Sequence, residues 1–140
     1  MKRGLAILLL TPLITNAHHS FGPNFDLGKT VEIEGEVVEI SWQNPHIRLV
    51  ITADGETWEI EGQSSNQLAR IGVSKDQISI GDVVKVAGPP SKSRQNSLHW
   101  GNLLLTDGRE VVMRPATAAL WSKNVIWDIP IGRNGRQISQ

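Results

Sequence analysis

The chain has 140 residues, with fourteen Lys plus Arg balancing fourteen Asp plus Glu, and no cysteine. That length suits one compact domain. The missing cysteines exclude disulfides, thiolate metal sites and lipid attachment at an N-terminal cysteine, and the balanced charge offers no general surface for polyanions.

Lys2 and Arg3 precede an apolar run from Leu5 to Ile14, which ends in Thr15-Asn16-Ala17. A basic start, a short apolar stretch and a small final residue predict a secretory signal peptide over residues 1–17, the run being too short to span a membrane. Cleavage after Ala17 sends the mature chain to the periplasm or the medium, with His18 at its terminus and no transmembrane segment. Removing Lys2 and Arg3 leaves it mildly acidic, twelve basic side chains against fourteen acidic.

Residues 18–30 read as an extended lead-in whose Phe21 and Phe25 tuck against the body. The domain follows over 31–113. Val31, Ile33, Gly35 and Val37 alternate with Glu32, Glu34 and Glu36, the period of a half-buried strand. Adjacent Val37 and Val38 shift the phase towards Ile40 and Trp42, which predicts a bulge. Asn44-Pro45 ends that strand, Ile47 to Ile51 forms a second, and Asp54-Gly55 turns into a third carrying Trp58 and Ile60. Ser64 to Ile71 reads as a short helix capped by Ser64 or Ser65 and closed by Gly72. Strands over 82–88 and from Leu98 or His99 to Thr106 follow, and Asp107-Gly108 starts a hairpin back through Glu110 to Met113. Residues 114–140 form a tail, irregular except for a helical turn over Ala116 to Trp121.

This order predicts an all-β domain with one short helix, an OB-like five-stranded Greek-key barrel plus a C-terminal hairpin strand and irregular tail. The core expected for it includes Trp42, Trp58, Ile47, Leu49, Ile60, Val84, Val86 and Leu103, with Trp100 buried as well. An immunoglobulin-like sandwich has no helix after its third strand.

His18-His19-Ser20-Phe21, Phe25-Asp26, Trp42-Gln43-Asn44-Pro45-His46, Gly62-Gln63-Ser64-Ser65-Asn66, Gly81-Asp82-Val83-Val84 and Thr106-Asp107-Gly108-Arg109 stand in an order and spacing that resemble the domain-of-unknown-function family 6152 of small exported bacterial proteins. The resemblance covers residues 18–113 and implies an exported OB-like β-domain, with no established activity to carry over.

The candidate metal ligands are His18, His19, His46 and His99. In an OB-fold the loops after strands one and four share one end, which brings His46 towards His99. A lead-in of thirteen residues at about 3.3 Å each reaches roughly 40 Å, enough to return the terminal amine and His18 to that end. Nitrogen ligands without sulfur suit Cu(II), Zn(II) or Ni(II), copper binding most tightly. A local chelate of the terminal amine with the His19 amide and ring is a second arrangement. The plain alternative has His46 bracing its own turn. The glutamate ladder Glu32, Glu34, Glu36, Glu59 and Glu61 reads as a solvated sheet face, which argues against nucleic acid. Catalytic signatures are absent: there is no Gly-x-Ser-x-Gly elbow, phosphate-cradling loop or His-Glu-x-x-His helix. The expectation is a non-enzymatic periplasmic binding or accessory module that holds copper or another divalent metal. The alternative is a metal-free adaptor that engages an envelope or periplasmic protein through the barrel loops or through Trp121 and Trp127.

Overall fold

The computed structural model describes residues 22–116 and 118–127. The expected signal segment, His18, His19, Phe21 and the chain beyond Trp127 lie outside the described residues.

The domain is mostly β-sheet with one short helix. In β1 (Val31–Ser41) the glutamates Glu32, Glu34 and Glu36 are exposed while Val31 and Ile33 turn towards the core. Its register jumps from Val37↔Ile51 to Glu39↔Val50, so Val38 is the bulged residue that the phase shift in the sequence predicts. The bulge lets one strand serve two neighbours: residues 31–36 pair with β4 (Val83–Gly88), and residues 36–41 pair with β2 (Arg48–Ala53). Asp54 and Gly55, with φ of 51° and 80°, turn β2 into β3 (Glu56–Glu61), positive φ at both central positions being what a two-residue hairpin of this twist needs.

Helix α1 (Ser65–Arg70) starts at Ser64, whose hydroxyl accepts the Gln67 amide at 3.2 Å, and Leu68 is its buried residue. A 3₁₀ turn, Lys75–Gln77, follows, opened at Ser74, whose amide donates to the Gln77 side chain at 3.3 Å.

The single strand expected from residue 98 to 106 is two, β5 (Ser97–His99) and β6 (Asn102–Leu104). The chain changes partners between them. β5 runs parallel to β3, whereas β6 runs antiparallel to β4. At the switch the Trp100 amide donates to Glu61 O at 2.9 Å and the Gly101 amide to Ala87 O at 2.8 Å. β6 then pairs with β7 (Glu110–Val112), and β7 with β8 (Val125–Trp127). The closed five-stranded barrel is thus corrected to an open eight-stranded sheet in the order β5-β3-β2-β1-β4-β6-β7-β8. On the β6 side the expected hairpin strand is β7, and β8 adds a further strand from the tail expected to be irregular.

The helical turn expected over Ala116 to Trp121 is absent among the described residues. The amides of Leu120, Trp121 and Ser122 all donate to the Glu110 carboxylate at 2.8 Å, which takes them from any helical ladder. Asn102 adds a fourth donor at 2.7 Å, so this wholly buried carboxylate is enclosed by N–H groups. Burial pushes its pKa up, the donors from Leu120, Trp121, Asn102 and Ser122 pull it down, and the net position is below the ordinary glutamate value.

Ile47, Leu49, Ile60, Val84, Val86 and Leu103 are buried as expected. Trp42 and Trp58 are only partly buried and pack against the margin of the core, while Trp100 is wholly enclosed. Among the described residues no helix is long and apolar enough to cross a membrane.

Candidate metal centre

The β2–β3 and β3–β5 ladders place Arg48, Glu61 and His99 in one row, since Arg48↔Glu61 and Glu61↔His99 are register partners. Register partners share a face, so the three side chains leave the sheet on the same side. The neighbouring row of Leu49, Ile60 and Leu98 is buried in the core on the other face. Beyond Arg48 the backbone pairing continues: Gly62 N donates to Ile47 O at 2.9 Å and Ile47 N to Gln63 O at 3.1 Å. That continuation anchors the Asn44-Pro45-His46 loop beside the end of β3.

His46 Nδ1 donates to Gly62 O at 3.1 Å and lies 3.7 Å from Glu61 Oε1. With Nδ1 engaged by that carbonyl, Nε2 is the ring nitrogen left to ligate, and a backbone carbonyl bound to the non-ligating nitrogen is a common support for a metal-binding histidine. Ligand atoms from His46, Glu61 and His99 all lie within 4.8 Å of one another.

His99 is wholly buried although its row faces away from the core, because the lead-in covers it. Phe25, itself buried, meets the imidazole edge-on with ring centroids 5.4 Å apart. Burial pushes the His99 pKa down to about 4, with a backbone hydrogen bond at Trp100 opposing and the charge of nearby His46 adding to the fall. At neutral pH the ring is therefore uncharged, the form that ligates metals.

His46 and Glu61 line a cleft of about 210 Å³ together with Ser41, Gln43, Arg48, Glu59, Arg94 and Ser97. Two guanidiniums border it. Arg48 pairs with Glu39 and, at 3.5 Å, with Glu59; Arg94 reaches Glu59 at 3.0 Å and Glu61 at 3.7 Å.

Of the four histidines singled out from the sequence, His46 and His99 are brought together, whereas His18 and His19 lie outside the described residues. Glu61, in sequence one rung of a solvated ladder, is the third member of the cluster. Its signal lies in strand register, since only the parallel pairing of β3 with β5 sets it opposite His99. The tail tryptophans are both partly covered: Trp121 Nε1 donates to Glu32 at 3.1 Å, and Trp127 sits in β8 opposite Val112.

The family of unknown function DUF6152 matches residues 7–99. The chain belongs to that family. The DUF6152 match includes His46, Glu61 and His99, and it starts earlier and ends sooner than the span of 18–113 read from the motifs. No curated protein matches the sequence. Among solved structures, the chain is similar to the S. pombe Stn1-Ten1 complex, at 17% identity and TM-score 0.45 over 54% of this chain and 57% of that one. It is also similar to the mitochondrial single-stranded DNA binding protein Rim1 of S. cerevisiae, at 14% identity and TM-score 0.43 over 56% and 94% of the two chains. A third is TiaS in its complex with a tRNA and ATP, at 14% identity and TM-score 0.43, where the match covers 58% of this chain and 19% of that one. The chain thus spans less than two thirds of the Stn1-Ten1 and TiaS chains, and the nucleic acids in these names belong to those proteins.

Proposed function

We propose that this protein is an exported metal-binding module whose centre is His46, Glu61 and His99, loaded with a divalent transition ion. The observation that carries the reading is the convergence of three ligand atoms within 4.8 Å from a loop and two adjacent strands. Two imidazoles and one carboxylate suit Cu(II) or Zn(II), with copper favoured on intrinsic affinity. The OB-like reading of the domain belongs to the same proposal. It is supported by the segment Ser97–Leu104, which pairs with β3 through its first half and with β4 through its second.

The test is calorimetric titration of the mature protein with Zn(II) and with Cu(II), its N-terminus verified by intact mass. Loss of a ligand through His46→Ala or Glu61→Gln is expected to weaken binding by more than about tenfold. An added N-terminal residue is expected to leave that affinity in place. Binding abolished by the added residue yet indifferent to His46→Ala would move the site to a chelate at the terminus. Binding indifferent to all three changes would remove the metal reading.

A further inference from the structure

The cleft in front of the three candidate ligands holds more polar capacity than those ligands use. His99 is wholly buried, whereas His46 and Glu61 are partly exposed and line the cleft, so the cleft gives an ion access to the centre past those two side chains. Three protein ligands leave at least one coordination position for water or another small ligand, as in open metal sites.

Ser97 also lines this cleft and is 3% exposed, yet its hydroxyl has no hydrogen-bond partner among the described residues. A buried hydroxyl left without a partner costs free energy, and a ligand oxygen would satisfy it. Ser97 is the register partner of Glu59 in the β3–β5 ladder, which places it beside the carboxylate that both guanidiniums share. Charge adds a second argument. Without metal, Arg48 and Arg94 balance Glu59 and Glu61 among the lining residues. A divalent ion adds two positive charges, of which Glu39, paired with Arg48 at the rim, offsets one. The loaded cleft is then short of negative charge, and the donors that line it include the Ser97 hydroxyl and two guanidiniums, groups suited to oxyanions.

We propose that the loaded centre takes a small oxyanion, a carboxylate or phosphate group, as its external ligand, bound between Arg48 and Arg94 with the Ser97 hydroxyl donating to it. The proposal rests on the metal reading above. The ligand is recruited only after the ion, because the metal-free cleft, with Glu39 counted, already carries one net negative charge.

The experiment uses Co(II) as a visible probe of the centre. Mature protein is loaded with Co(II) alone, then titrated separately with acetate and with inorganic phosphate while the d–d absorption is followed. The expected result is a saturable spectral change, the tighter of the two anions naming the oxyanion class. Ser97→Ala is expected to weaken anion binding by roughly fivefold and Arg48→Gln by roughly tenfold, in line with one neutral and one charge-assisted hydrogen bond. Both variants should take up Co(II) as the parent does. Lys85→Gln, which removes a cation paired with Glu34 away from the cleft, should change nothing. Uptake of Co(II) without any spectral response to either anion overturns this proposal alone, as does a response untouched by Ser97→Ala and Arg48→Gln. Failure to take up Co(II), Zn(II) or Cu(II) overturns the metal reading and the oxyanion site with it.

Discussion

Glu61 and His99 stand opposite each other across the parallel β3–β5 ladder, and this pairing turns an exposed-ladder glutamate and a buried histidine into members of one cluster. The short length of β5 makes the pairing vulnerable from behind, where β4 ends at Gly88.

A Cβ built on Gly88 would lie 1.9 Å from the His99 carbonyl oxygen and 3.0 Å from the Gly101 amide nitrogen. Both obstacles are backbone, so neither can swing aside. Gly88→Ala is therefore expected to destabilise the fold by about 3 kcal/mol or more through overpacking and to weaken metal binding by displacing His99. Denaturant unfolding and calorimetry check the two effects, and a parent-like midpoint would show that β4 and β5 are not in this contact.

Acid should unfold the metal-free protein sooner than its exposed groups alone would. His99 titrates at about 4 in the fold against an ordinary value of 6.5, so the unfolded chain binds a proton that the native state refuses. Stability from this group is complete above about pH 6.5 and falls as pH drops towards 4, by about 3 kcal/mol at 1.36 kcal/mol per unit. Glu110 acts in the same direction at lower pH, because its depressed carboxyl contributes stability above the unfolded value and loses it as pH falls through the folded one. Unfolding curves between pH 7 and pH 4, with an NMR titration of the His99 ring, measure this. A ring midpoint near 6.5 would contradict the enclosure by Phe25.

Glu110→Gln replaces one accepting oxygen with a donor, which then faces either the Leu120 amide and Asn102 Nδ2 or the amides of Trp121 and Ser122. The expected cost is about 3 kcal/mol, the range for lost charge-assisted bonds plus unsatisfied donors. It should be accompanied by faster hydrogen exchange at residues 120–122, while β1 to β3 keep their protection.

Trp100→Ala is expected to cost about 3 to 5 kcal/mol, because the side chain is wholly enclosed. Trp58→Ala should cost less than half of that, since Trp58 packs only at the margin of the core. Equal losses in denaturant unfolding would reverse this assignment of the two tryptophans.

Local chemistry made much of this fold legible. Period-two alternation marked β1, Asp54-Gly55 and Asp107-Gly108 marked turns, and Ser64 with Gly72 bracketed α1, because each depends on residues within a few positions of one another. The adjacency of Val37 and Val38 likewise located the bulge. The two-strand split at Trp100-Gly101 was beyond local reading, since it arises from a change of partner between β3 and β4. The fate of Leu120 to Ser122 was hidden for a related reason: a distant carboxylate, Glu110, captures amides that a helical turn would have used.

The sequence by itself determined β1 to β4, the hairpin return through β7, helix α1, the turns and the candidacy of His46 and His99, because residue type and spacing carry those signals. Only the tertiary structure decided that Glu61 joins them, that His99 is sealed under Phe25 and that Ser97, Arg48 and Arg94 face the same cleft. Those relationships depend on the register of strands far apart in the chain and on which loop covers which face, and the order of residues along the chain specifies neither locally.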